Sequence, residues 1–392
     1  MAIKRIHTKP LHKIEPPKFD IRPFYTMEMM KLATQLESSG QTIYHLEVGQ
    51  SSAPTPIPVI DEAVRLVRAG QLNYCSALGV FELRDGIAKH YKHTYNIDVD
   101  PNCIIITPGT SFGLYIALLT NFNKGARIAI ASPSYPCYRN VIKSLGFIPV
   151  EITTCQEQNY LITPETLGQY ININGILVAS PNNPTGSVYD EDELKTLSLY
   201  CQKNNIKILS DEIYHGITFE KKVDTILKFD SQATVINGFS KYFCMTGWRV
   251  GWLVVPAAQI NLYENLLQNV ILCTSPLNQM AAIKGFLCYH ELDKNVEEYK
   301  RNRDILFDAL IDAGIERLHK PHGGFYIYLE IDKSVSKSLD LCKQLLYEEG
   351  VATAPGLDFS SDTKTCIRLS FSQQKEIVET AAAKLNSFIK RL

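Results

Sequence analysis

Three segments of this chain place reactive or strongly polar side chains just after short apolar runs. Lys241 lies in Asn237-Gly238-Phe239-Ser240-Lys241 and is followed by Met245-Thr246-Gly247-Trp248-Arg249-Val250-Gly251. Asp211 lies in Ser210-Asp211-Glu212-Ile213-Tyr214, and Ser180-Pro181-Asn182-Asn183-Pro184-Thr185-Gly186 follows an earlier apolar run. Singly, these are a solvated lysine, a helix cap and a Pro/Asn/Gly turn. Jointly they mean more, because open α/β sheets bind ligands at the carboxyl ends of their strands and three such ends could converge on one crevice. A different chemistry is spelled by Gly109-Thr110-Ser111-Phe112-Gly113, which satisfies the G-x-S-x-G elbow of a serine hydrolase, with His319 or His322 as the late histidine. That fingerprint is short and common, and it leaves Lys241, Asp211, Asn183 and Arg249 unexplained.

A sheet is needed to hold these residues. Strand candidates are Ile104 to Thr107, Arg127 to Ala131, Ile148 to Ile152, Gly175 to Ala179, Ile206 to Ser210, Thr234 to Ile236 and Gly251 to Val255. Between two of them Asp190 can cap a helix, with Glu193 three residues on and Leu194, Leu197 and Tyr200 at helical spacing. Apolar runs without strict alternation, separated by helices, indicate a mostly parallel sheet covered on both faces. Beyond about residue 290 come a charged helix (Glu291 to Ile315) and strand patterns at Phe325 to Ile331 and Thr365 to Phe371. The expected division is an arm and first helix over 1–45, a large domain over 46–290 and a smaller α+β domain over 291–392, the first segment joining the last.

The composition, 45% hydrophobic and 21% charged, is that of an ordinary globular protein. The 392 residues suggest roughly two to three domains. Forty Lys and Arg against 41 Asp and Glu leave a net charge of −1, without the basic patches that phosphate backbones and anionic lipids attract. Ten cysteines show neither a CxxC pair nor zinc-site spacing, so no metal is expected, and they read as small buried thiols in a reducing compartment. No apolar h-region opens the chain and no apolar run approaches the ~18 residues of a membrane span, so a cytoplasmic location is expected.

From about His45 to Phe371 the chain resembles the class I/II, fold-type I aminotransferases that depend on pyridoxal 5'-phosphate. The joint pattern PNNPTG, then SDEIY, then FSK-x7-R carries the resemblance, in matching order and spacing. The resemblance implies transfer of an amino group from an L-amino acid to a 2-oxo acid, 2-oxoglutarate being the implied acceptor, by a ping-pong Schiff-base mechanism. A lyase or synthase of the same fold, using much the same cofactor residues, is the alternative. A ligand-sensing transcriptional regulator would need a DNA-binding module, for which the arm is too short.

By this resemblance Lys241 forms the Schiff base and shuttles a proton. Asp211 pairs with the pyridine nitrogen, while Tyr214 and Asn183 bond the 3'-oxygen. Gly109, Thr110 and Ser111 at a helix start, with Ser240 and Arg249, take the phosphate. Tyr135, in Ser132-Pro133-Ser134-Tyr135-Pro136, stacks on the ring. Arg368 grips the substrate carboxylate with a planar fork, helped by Asn183 and by the backbone of Gly49 after a Leu46-Glu47-Val48 strand. Tyr74 reaches the phosphate of a neighbouring subunit, which implies a homodimer. Two departures stand out: Gly238 occupies a place where the family often has serine, and Gly49-Gln50-Ser51-Ser52-Ala53-Pro54 replaces the usual Gly-x-Pro form. An acidic substrate would need a second cation, for which Arg22 and Arg139 are candidates. Phe24, Tyr25 and the Gln50 loop suit an aromatic or aliphatic side chain as readily.

Overall fold

The structure is a computed structural model that describes residues 21–70, 72–331, 337–360 and 365–392. The arm expected at the N-terminus lies outside the described residues up to residue 20. In chain order the first elements are α1 (Tyr25–Ser38), β1 (Tyr44–His45), α2 (Ile57–Ala69), α3 (Phe81–Tyr95), β2 (Ile104–Thr107) and α4 (Thr110–Asn121). There follow β3 (Arg127–Ser132), α5 (Pro136–Ser144), β4 (Ile148–Thr153), α6 (Pro164–Leu167), β5 (Gly175–Ala179), α7 (Glu191–Lys203) and β6 (Lys207–Asp211). Next are β7 (Thr234–Gly238), β8 (Gly251–Val254), α8 (Ile260–Val270), α9 (Pro276–Ile283) and α10 (Tyr289–Asp312). The chain closes with β9 (Tyr326–Glu330), α11 (Ser338–Glu349), β10 (Val351–Ala352), β11 (Ala354–Pro355), β12 (Cys366–Ser370) and α12 (Lys375–Arg391).

Seven strands form one sheet in the order β2-β8-β7-β6-β5-β3-β4, and only β8 runs antiparallel to its neighbours. Successive residues of each central strand serve opposite faces. Ile176, Val178, Ile208 and Val235 join one apolar cluster, while Leu177, Leu209, Ile236 and Leu253 join the other. Both faces are therefore covered, and this explains runs that are apolar throughout rather than alternating. The parallel register pairs Ala179 with Asp211 and Asp211 with Ile236, so β5, β6 and β7 end side by side.

The α7 start is as expected: the Asp190 carboxylate accepts from the Glu193 N–H, and the Glu193 carboxylate accepts from the Asp190 N–H. The charged helix begins two residues earlier than expected and ends before Gly314, whose φ of +92° stops it. β12 is the central strand of a three-stranded antiparallel sheet, between β11 and β9. One expectation fails: the strand placed at Leu46-Glu47-Val48 stops at His45, after pairing with β10. Leu46 still exchanges backbone bonds with Ala352 and Ser370, but the Glu47 carbonyl turns away to accept from Arg368. Among the described residues no helix is long and apolar enough to cross a membrane.

Candidate active site

The strand ends of the large sheet open on a cavity of about 290 Å³ lined by Lys241, Asp211, Tyr214, Asn183, Ser240, Arg249 and Arg368. Gly49, Thr110, Ser111 and Tyr135 line it too. Residues as far apart in the sequence as Phe24 and Arg368 thus face one space.

Lys241 donates through Nζ to the Gly49 carbonyl at 2.6 Å, and its ammonium lies 5.6 Å from the ring centres of both Tyr214 and Phe325. Burial, reinforced by the charges of Arg368 and Arg249, pushes its pKa from 10.5 down to about 8, against the opposing pull of Asp211. The Asp211 carboxylate is buried. It accepts from the Tyr138 hydroxyl at 2.7 Å and from the Ile213 N–H at 3.1 Å. Burial raises its pKa, while those donors and Lys241 oppose the rise. Asp211 and Lys241 line the same cavity, and each feels the other's charge.

Gly109 is not among the lining residues but precedes α4, whose Thr110 and Ser111 are; its φ is +82°, and a β-carbon there would stand 2.3 Å from Nη2 of Arg249. Only glycine allows that approach. The Ser240 hydroxyl is buried without a protein partner, and an orphaned donor costs free energy unless a ligand or water satisfies it. Helix start, guanidinium and orphaned hydroxyl together fit a phosphate dianion. The departure at Gly238 has a steric cause: a β-carbon would meet Gly251 Cα, Thr110 Cγ2 and the Val250 carbonyl, each at 3.0 Å.

Arg368, which also lines the cavity, is 2 % exposed and lies 4.2 and 4.8 Å from the ring centres of Tyr326 and Phe359. Nη1 donates to Asn183 Oδ1 at 3.0 Å, Nη2 donates to the Glu47 carbonyl, and Nε has no protein partner. A buried guanidinium with an open donor fits a carboxylate. Tyr214 and Tyr326 share a 2.8 Å hydrogen bond between their hydroxyls. Tyr135 stands at the head of α5 with its ring edge-on to Tyr138. Pyridoxal phosphate therefore finds groups of the right chemistry for its aldehyde, ring nitrogen, phenolic oxygen and phosphate.

Several expected residues lie elsewhere. Tyr74 is 82 % exposed and does not line the cavity. Arg22 is exposed and outside it, and Arg139 is buried beyond its wall, bound to Glu151 and the Asp358 carbonyl. The serine-hydrolase constellation does not assemble: Ser111 faces the cavity, whereas His319 bonds Ser187 and His322 lies near Glu220. Tyr138 and Tyr326 were not singled out from sequence. Tyr138 had one signal, its place one helical turn after Tyr135; Tyr326 had none, because its neighbours come from other strands.

Comparison with known proteins agrees with this geometry. Residues 42–385 match the family model described as aminotransferase class I and II. The valine–pyruvate aminotransferase of Mycobacterium tuberculosis is 37% identical over 94% of this chain and 97% of its own. An aspartate aminotransferase of Sulfolobus acidocaldarius is 31% identical, over 91% and 92% of the two chains. A crystal structure of an aminotransferase from M. tuberculosis superposes with a TM-score of 0.92 at 37% identity, covering 95% of this chain and 98% of that one.

Proposed function

Since the chain belongs to the class I and II aminotransferases, which depend on pyridoxal phosphate, we propose that the cavity around Lys241 moves an amino group from an L-amino acid to a 2-oxo acid in two ping-pong half-reactions. The observation that carries this reading is the one cavity that Lys241, Asp211, Arg249 and Arg368 line together. When bound, the cofactor supplies an aldehyde and a ring that accepts electron density from the substrate Cα.

The chain's own groups do the rest. Lys241 would hold the cofactor through its aldehyde and would move the proton at the substrate Cα; its lowered pKa favours the free amine. Asp211 holds a proton on the ring nitrogen, and its burial rewards a cationic partner. Tyr214, bonded to Tyr326, would hold the phenolic oxygen together with Asn183, which also accepts from Arg368. Ser240, Arg249 and the start of α4 anchor the phosphate, and Tyr135 covers the ring. Arg368 and Gly49 fix the substrate carboxylate so that one Cα bond faces the ring squarely. The aminotransferase names of the relatives weigh against a lyase.

A homodimer completes the proposed site. The outer face of α2 exposes Ile57, Ile60, Val64 and Val67 at helical spacing, close in sequence to the exposed Tyr74. Ten free thiols support a reducing, cytoplasmic setting.

The test is absorbance of the protein with added pyridoxal phosphate, followed by product analysis with amino donors and the acceptors 2-oxoglutarate and pyruvate. Lys241→Ala should bind cofactor without the lysine-linked band and lose turnover; normal transamination in that variant would end the proposal. Mixing Lys241→Ala with Tyr74→Ala subunits should restore activity in mixed dimers, because one site then holds both intact residues. No recovery in verified mixed dimers would remove Tyr74 from the neighbouring site.

A further inference from the structure

Four charged side chains line the cavity among the described residues: Asp211, Lys241, Arg249 and Arg368. Each faces a part of cofactor or substrate already assigned to it. The lining that no cofactor or carboxylate role claims is all neutral and includes Phe24, Met27, Val48 and Gln50 beside Thr26, Ile213 and Thr246. Phe24 also sets its ring edge-on to Tyr135 at 6.4 Å, which joins this wall to the face expected to cover the cofactor.

The wall is fixed rather than loosely draped. Phe24 precedes α1 and offers no cap of its own. Instead Asp358, buried at 2 % exposure, accepts from the N–H groups of Tyr25 and Thr26 and from the Thr26 hydroxyl, at 2.7 to 2.9 Å. A carboxylate at a helix start supplies the missing cap and complements the dipole. The next residue, Phe359, is one of the two rings packed on Arg368. The apolar wall and the carboxylate grip are therefore both braced by consecutive residues, Asp358 and Phe359.

We propose that this site takes substrates with uncharged, apolar side chains, aliphatic ones foremost, and discriminates against aspartate and glutamate. The proposal rests on the transaminase reading above and names its substrate class; similarity alone does not choose, since the relatives' names include both valine–pyruvate and aspartate. Placing a second carboxylate against the half-buried Phe24 and Val48 is costly without a cation to pair it, whereas burying methyl groups there is favourable. The same compartment receives the 2-oxo acid, so pyruvate and 4-methyl-2-oxopentanoate rank above 2-oxoglutarate.

The experiment is a single half-reaction, read as loss of the cofactor's visible band in the holoenzyme on addition of valine, leucine, methionine, aspartate or glutamate. Apolar donors should react with a second-order rate constant at least about tenfold above the acidic ones. Spectral titration with 4-methylpentanoate and maleate should give tighter binding of the monocarboxylate. Equal or faster reaction with aspartate or glutamate overturns the proposal while leaving transamination intact; no bleaching by any amino acid overturns the transaminase reading itself. Met27→Arg should raise the aspartate rate relative to leucine. A folded, cofactor-binding Met27→Arg with unaltered selectivity would remove Met27 from the side-chain compartment and count against the assignment.

Discussion

The Tyr138 hydroxyl donates a 2.7 Å hydrogen bond to Oδ2 of Asp211, and the tyrosine is itself buried. The carboxylate proposed to hold the ring nitrogen is thus oriented from the first turn of α5, the helix that Tyr135 begins. Tyr138→Phe should leave a buried acceptor short of a donor, at a cost of about 1–3 kcal/mol. Urea unfolding of the cofactor-free protein measures it. An unchanged midpoint would show that this bond does not hold Asp211.

Lys241 makes stability depend on alkaline pH in a definite direction. Unfolded, the amine keeps its proton up to the ordinary 10.5; folded, it loses it at about 8. Between those values the unfolded chain binds more protons, so stability of the cofactor-free enzyme rises with pH. Lys241→Met should lack this rise and be more stable than the parent near neutrality. Urea midpoints compared at the two ends of that window give the answer, and equal slopes would contradict it.

His45 has the opposite sign. Its hydrogen bond to the buried Glu47 carboxylate, helped by Glu37, raises its pKa from 6.5 to about 9. The stabilisation is complete below 6.5 and fades as pH climbs through 9. His45→Gln should therefore lose most at pH 6 and least at pH 9.5, where the two proteins converge. A pH-independent difference would mean that packing, not charge, is what the histidine contributes.

Gly49 cannot carry a side chain without moving Tyr326, whose hydroxyl would lie within 1.5 Å of the new β-carbon. Tyr326 stacks on Arg368, so Gly49→Ala should disturb carboxylate binding. Overpacking of this kind costs about 1–3 kcal/mol. Steady-state kinetics should show KM for the amino acid rising by roughly tenfold or more, with a smaller change in kcat. Wild-type KM would refute the coupling.

Much of the scaffold was legible along the chain. The strands of the large sheet matched apolar runs because both faces are buried, and α7 announced itself through Asp190 and Glu193, whose capping bonds are local. The cavity residues Lys241, Asp211, Asn183 and Arg249 were found because motifs at strand ends are short and ordered. The Leu46-Glu47-Val48 strand was misplaced for the converse reason: its end is set by Arg368, which takes the Glu47 carbonyl from far along the chain.

What the amino-acid order by itself determined is the inventory of the site: which amine, carboxylate, guanidinium and glycine turn exist, and that the amine, the carboxylate and the glycine turn stand at strand ends. Backbone propensity and capping act within a few residues, so they can be read in one dimension. Tertiary structure alone decided which side chains meet: Tyr138 on Asp211, Tyr326 between Tyr214 and Arg368, Asp358 as the cap of α1. It also drew Arg139 off into a pairing with Glu151, away from the cavity. Those contacts depend on strand register and on how helices pack across the sheet, and no local spacing encodes either.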